Sequence, residues 1–342
     1  MQRLTSRLLL LVMLLTPLFS VFAANPQKSS QSLKQNPYFV AVGNHGVICR
    51  SATGTADSWI DISSNNKGLS FTGVAYGKQR FIATAINGTA WLSLDAKNAW
   101  KVTDLTMYNS PNLSSKQLTC VTYGKGRFVA AGFTSGKGAN YVMFFQLKDN
   151  ATSWTSQMLP GPFTVKSIVC GKQNFVAVGE DRSSACAQIF ILPVKEDELK
   201  TSRLKGVLPL NAVTYGQGNF LAVGLKGQVY CWSENMKRQT QYTLDGVSNL
   251  LGVTYADNRF VAVGFKGKVF YSKNGASKAS WRTVTIPRVF CLYGITYGAG
   301  RYVAVGMDAS YKGRTWWSTD LVNWHKSVQE WSLLNAVVYK AE

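Results

Sequence analysis

The chain has 342 residues, 46% hydrophobic and 16% charged, with 37 Lys and Arg against 17 Asp and Glu and a net charge of +20. That length is ample for a sizeable buried core, and the charge favours anionic partners over cationic ones. Two histidines, and six cysteines with no Cys-x-x-Cys pair, give no metal-ligand spacing and imply no cofactor.

Residues 1–23 begin with Arg3 and Arg7, continue as an apolar run from Leu8 to Leu15, and end at Val21-Phe22-Ala23. This is the pattern of a secretory signal peptide cleaved after Ala23, too short for a comfortable membrane span. The expected location is therefore periplasmic or extracellular. No cysteine follows the cleavage point, which argues against a lipoprotein, and no later stretch approaches a transmembrane segment. Residues 24–37 read as a flexible polar lead-in.

From Tyr38 onward the chain repeats. A strand of the form small-(Val/Ile)-x-Tyr recurs every 40 to 47 residues, anchored by Tyr76, Tyr123, Tyr215, Tyr255, Tyr297 and Tyr339, with Cys170 in the slot of one unit. A second strand, Phe-(Val/Ile/Leu)-Ala-(Val/Ala)-Gly, is marked by Phe39, Phe81, Phe128, Phe175, Phe220, Phe260 and Tyr302, and in six units it starts five residues after the anchor. Side chains alternate between strand faces, so the Val/Ile and the Tyr share one face and the small residue lies on the other. Both faces are apolar or small, as in the innermost strand of a converging set of sheets. The gap Tyr123-Gly124-Lys125-Gly126-Arg127-Phe128 reads as a tight hairpin, with glycine supplying positive backbone angles. Trp59, Trp100, Trp154, Trp281 and Trp324 recur near a fourth strand and read as aromatics plugging the gaps between units.

The two ends of this repeat are odd. Phe39 has no first strand before it and Tyr339 has no second strand after it, so joining them completes a seventh unit. The spacing predicts an all-β, seven-bladed β-propeller of four-stranded blades over residues 38–342, closed by its C-terminal inner strand. A monomer is expected.

The segments Ser318-Thr319-Asp320-Leu321-Val322-Asn323-Trp324, Ser272-Lys273-Asn274-Gly275 with Trp281, and Ser93-Leu94-Asp95 with Trp100 resemble Asp-boxes, the Ser-x-Asp-x-Gly-x-x-Trp turns of sialidase-type bacterial propellers. Val322 stands where that motif has glycine. The repeat style is also similar to that of the photosystem II assembly factors. The resemblance implies a structural turn at the blade periphery and the propeller fold; activity does not follow from it.

Loops joining second to third strands gather where a propeller's central channel opens. Here they carry His45, Lys137, Arg182, Lys226, Lys266, Lys312 and Arg314, a ring of cationic or potentially cationic groups, with Asn87 in the remaining unit. The opposite face carries Lys78, Arg80, Lys125, Arg127, Lys172, Arg259 and Arg301. Catalytic constellations are scarce: Glu180, Asp181 and Asp308 are the carboxylates expected at the mouth, no arginine triad suits a sialidase, and there is no Gly-x-Ser-x-Gly. Cys49, Cys120, Cys170, Cys186, Cys231 and Cys291 fall mostly within strands and read as buried thiols, with one bridge between blades left open. The expected function is a non-catalytic binding or scaffolding propeller. Its partner would be an anionic polymer (acidic glycan, lipopolysaccharide or nucleic acid) or a protein. The alternatives are a diverged sialidase-like hydrolase working through Glu180, Asp181 or Asp308, and an assembly factor for membrane complexes.

Overall fold

The computed structural model of the chain describes residues 36–341, except 64–67, 98–99, 104, 106–112, 137–138 and 196–197. The expected signal peptide, most of the lead-in and Lys137 lie outside the described residues. Among the latter no helix is long and apolar enough to cross a membrane.

Seven innermost strands form the axis: Phe71–Gly77, Leu113–Gly124, Phe163–Cys170, Leu210–Gly216, Leu250–Ala256, Val289–Gly298 and Leu334–Lys340. Each begins an antiparallel four-stranded sheet, and the inner strand of each sheet touches those of its two neighbours around a ring. We number the blades I to VII in the order of these strands. Blade VII takes its inner strand from Leu334–Lys340 and its outer three from Tyr38–Gly43, Ile48–Ser51 and Trp59–Asp61. The protein is a seven-bladed β-propeller closed as the sequence predicts.

Each anchor lies directly across the hairpin from its second-strand aromatic. Tyr76 pairs with Phe81, Tyr255 with Phe260 and, across the closure, Tyr339 with Phe39, with ring centroids 4.7 Å apart in all three. In five blades the residue after the anchor is glycine, and at Gly77, Gly216 and Gly298 the next blade's anchor ring lies against it: a Cβ on Gly77 would stand 2.0 Å from the Tyr123 ring. The expectation that glycine supplies the hairpin angles holds in part. Lys125-Gly126 takes φ of 49° and 75°, but Lys78-Gln79 (46° and 59°) and Asp257-Asn258 (48° and 56°) turn without glycine.

Seven apolar clusters fill the gaps, each shared by two adjacent blades. The recurrent tryptophans sit in five of them: Trp59, Trp100 and Trp154 are buried, and Trp281 and Trp324 pack against the cluster edge. Between blades III and IV, Trp232 of a third strand stacks on Phe220 at 5.5 Å, and between II and III the pair Phe144–Phe190 stands at 5.7 Å. Burying one such ring stabilises the fold by about 2 kcal/mol, so the gaps between blades are the main apolar reserve of the molecule.

The Asp-box-like segments form capped outer turns. Ser318 Oγ accepts from the Leu321 amide (2.9 Å), and Asp320 Oδ1 accepts from the amides of Val322 and Asn323 (both 2.8 Å). Leu321, three residues after the serine, takes the left-handed conformation (φ 70°), as do Ala96 after Ser93 (49°) and Gly275 after Ser272 (59°). The left-handed residue thus lies one position earlier than the motif's glycine.

Candidate functional site

All seven inner strands carry a β-bulge at the same place. The register skips Thr72, Thr119, Lys166, Asn211, Leu251, Tyr293 and Asn335, each the residue just before the invariant small position. A bulge re-aims its side chain. Here all seven residues line a central cavity of about 180 Å³. The bulge also explains the glycine that ends the second-strand motif: a Cβ on Gly224 would lie 2.1 Å from the Pro209 carbonyl oxygen where the bulged backbone presses in.

These residues also stitch the blades together. Thr72 Oγ1 donates to Leu118 O (2.8 Å), Thr119 Oγ1 to Val165 O (2.7 Å), Asn211 Nδ2 to Leu250 O (2.8 Å) and Asn335 Nδ2 to Phe71 O (2.7 Å). Lys166 Nζ instead donates to Glu180 (2.9 Å) and to Asn211 Oδ1 (3.2 Å), placing one ion pair beside the axis.

The loops flanking the cavity at this end include most of the cations expected there. His45, Lys226 and Lys266 each hold the position six residues after the second-strand aromatic, with φ of 57°, 52° and 57°, and each is followed by a left-handed glycine. Two successive left-handed residues make the tight hairpin turn that matches strand twist, so all three side chains stand at exposed turn tips. Their turns are fastened to neighbouring loops: the Lys226 amide donates to Asn249 Oδ1 (3.2 Å), the Lys266 amide to Phe290 O (2.8 Å), and His45 Nδ1 lies 3.2 Å from Ser332 Oγ. In blades III and VI the same position holds Asp181 and Asp308, whose carboxylates cap the turn through the amides of Ser183 and Ser310 (both 2.9 Å). The exposed Lys312 follows the Asp308 cap, and Arg182, also exposed, lies over the Phe133 ring at 5.5 Å.

Arg314 does not belong to the ring of ligand-facing cations. It is 8% exposed, and its guanidinium donates to Asp308 (3.1 Å), to the carbonyls of Val328 (2.6 Å) and Gln329 (3.0 Å), and to Glu330. The carboxylates are likewise committed. Glu180 is paired with Lys166, and Asp181 is buried with Ser183 and Arg203 as partners. Hydrogen bonding from Ser183 holds the Asp181 carboxyl below its ordinary value. Burial would push Asp308 up, but the Lys312 amide, the Arg314 guanidinium and the Ser310 amide together hold it low. Among the described residues no three His, Cys, Asp or Glu side chains are grouped to hold a metal ion.

An aromatic ladder at this end joins the cations. Phe265 meets Phe290 edge-on at 5.7 Å, and Phe290 meets Tyr311 at 5.2 Å. Phe290 is 37% and Tyr311 69% exposed, with Lys266 and Arg288 beside them in sequence and also exposed. Each residue is visible in the sequence, but two loops and the start of the Val289–Gly298 strand bring the rings together, and no local signal announces that.

Fold and face together define a propeller with an aromatic and cationic mouth. The chain matches no protein family in a scan of family profiles and no curated protein in sequence. It is similar in fold to YCF48 bound to D1 peptide (TM-score 0.57, 13% identity, 79% of this chain and 85% of that one) and to YCF48 from Cyanidioschyzon merolae (0.58, 16%, 80% and 90%). It is also similar to a chain of a nidogen/laminin complex (0.51, 9%, 89% and 98%). At these identities the likeness is one of fold.

Proposed function

We propose that the chain is an exported, non-catalytic binding propeller that docks an acidic, aromatic- or aliphatic-bearing segment of a protein partner across its mouth. The observation that carries this reading is the ladder Phe265–Phe290–Tyr311, with Phe290 and Tyr311 exposed, beside Lys266 and Arg288. Exposed rings next to unbalanced cations are the composition of a protein contact surface, where aromatics supply area and charge sets orientation and encounter rate. An anionic polymer alone would use Lys226, Lys266 and Lys312 and give the rings no role. Export rests on the basic, apolar and small-residue pattern of residues 1–23.

The solved structures of similar fold lend support as examples of the fold at work: one YCF48 structure holds a D1 peptide, and another matching chain belongs to a nidogen/laminin complex. An assembly role for this chain is compatible with the same docking surface. The hydrolase reading finds less support, because a glycosidase's general acid needs a raised pKa, whereas Asp181 and Asp308 are both held low and Glu180 is tied to Lys166.

Selection of a random peptide library on the folded protein tests this reading. Enriched peptides should be acidic with interspersed apolar residues and should lose binding to a Phe290→Ala/Tyr311→Asn protein. Enrichment of basic peptides, or binding indifferent to those substitutions, would overturn it.

A further inference from the structure

The opposite end of the ring departs from the repeat in one sector. In blades I, V, VI and VII a serine stands across from the second-strand aromatic (Ser93, Ser272, Ser318 and Ser51) and caps the outer turn through its Oγ; blade IV uses Ser233 one residue on. Blades II and III have Leu147 and Leu192 across from Phe128 and Phe175 instead. Their turns continue into Lys148-Asp149-Asn150 and Val194-Lys195, and beside them opens a depression of about 510 Å³.

Among the described residues its charged lining is Lys78, Lys125, Arg127, Lys148, Lys195 and Asp149. The carboxylate is already engaged: Asp149 Oδ2 accepts from the Tyr123 hydroxyl (2.9 Å) and Oδ1 lies 3.9 Å from the Arg80 guanidinium. Arg127 is a fixed wall, 4% exposed, donating to the carbonyls of Pro193 (3.3 Å) and Val194 (3.1 Å) and lying over the Phe175 ring at 5.1 Å. Four exposed lysines remain around the rim. Turn geometry does not ask for them: Lys78 and Lys125 sit at left-handed positions that Asn or Gly fill more easily, and the equivalent residues of blades IV, V and VI are Gln217, Asp257 and Ala299. Converging like charges repel, and a bound anion relieves that repulsion.

We propose that this depression binds a compact polyanion, a group of two or more linked phosphates or sulfates. Ammonium groups on flexible stems act as point charges that close around such a group from several sides, while Arg127 and the paired Asp149 fix the floor. The site is independent of the mouth and of whatever docks there.

Calorimetric titration of the full chain with inorganic tripolyphosphate, and in parallel with a sulfated disaccharide, tests the proposal and separates phosphate from sulfate. Saturable 1:1 binding is expected, weakening steeply between about 50 and 200 mM salt. Lys125→Asn/Lys148→Gln should reduce affinity by about ten-fold or more, and Lys226→Asn/Lys266→Asn by less than about two-fold, since diffuse charge alone acts alike on both faces. Asparagine is chosen because it tolerates the left-handed turn. If the first variant melts earlier than the parent, Lys78→Asn/Lys195→Gln takes its place under the same criteria. Equal losses from both faces, or no saturation with either probe by about 10 mM, would overturn the proposal.

Discussion

Asn335 donates its side-chain amide to the backbone carbonyl of Phe71 at 2.7 Å, tying the last strand of the chain to the first complete blade across 264 positions. The same amide donates to Asn44 Oδ1 at 2.9 Å, so one side chain joins blade VII both to blade I and to its own loop. Four residues on, Tyr339 packs on Phe39 and completes the ring from within blade VII. Closure therefore depends on a handful of C-terminal residues.

Deleting residues 331–342 should leave the Tyr38–Gly43 strand as an open edge and unseat the clusters on both sides of blade VII, giving an aggregating product. The single change Asn335→Leu should cost about 1–2 kcal/mol in urea unfolding without altering the oligomeric state. A truncated chain that sediments as a monomer with unchanged melting would contradict closure by this strand.

Arg314 and Asp308 form an internal ion pair, with side chains 9% and 7% exposed. Arg314→Leu should destabilise the protein by about 3 kcal/mol because it strands a buried carboxylate. Since the Asp308 pKa is depressed on folding, its stabilising contribution is present above the ordinary carboxylate value and is lost as pH falls through the lowered native value. Asp308→Asn should therefore flatten the loss of stability below about pH 4. Urea midpoints across that range check both statements.

All six cysteines are free, and Cys49, Cys120, Cys231 and Cys291 are buried. Burial pushes the Cys120 thiol up to about 12, and the same cause raises Cys49, Cys170, Cys231 and Cys291. Denatured, unreduced protein should show six titratable thiols. The native protein should show one rapid reaction, abolished by Cys186→Ser, since Cys186 is partly exposed at the start of the third strand of blade III, whereas burial raises the thiol of Cys170, the other partly exposed cysteine. A thiol count of zero would imply three bridges and contradict this assignment.

Blade number and closure were legible in the sequence because each anchor and its aromatic partner face each other at fixed spacing, as Tyr255 and Phe260 do. The bulge ring was hidden for the opposite reason. Thr72, Lys166, Leu251 and Tyr293 share a backbone position but no chemistry, and only the small residue after each marks the place. Charge misled at Arg314, whose partners Glu330 and the carbonyls of Val328 and Gln329 lie beyond the turn that was read. The Phe265–Phe290–Tyr311 ladder went unseen because contact across loops leaves no periodic trace.

The affinity of a selected acidic peptide for four proteins tests the docking face most directly, measured by fluorescence anisotropy on the parent, Phe290→Ala/Tyr311→Asn, Lys226→Glu/Lys266→Glu and Lys125→Asn/Lys148→Gln. Both mouth variants should weaken binding by about ten-fold or more, as expected for a contact anchored by rings and oriented by charge. The variant on the opposite face should match the parent within about two-fold. Equal losses in all three variants, or a loss confined to Lys125→Asn/Lys148→Gln, would contradict the mouth as the binding face.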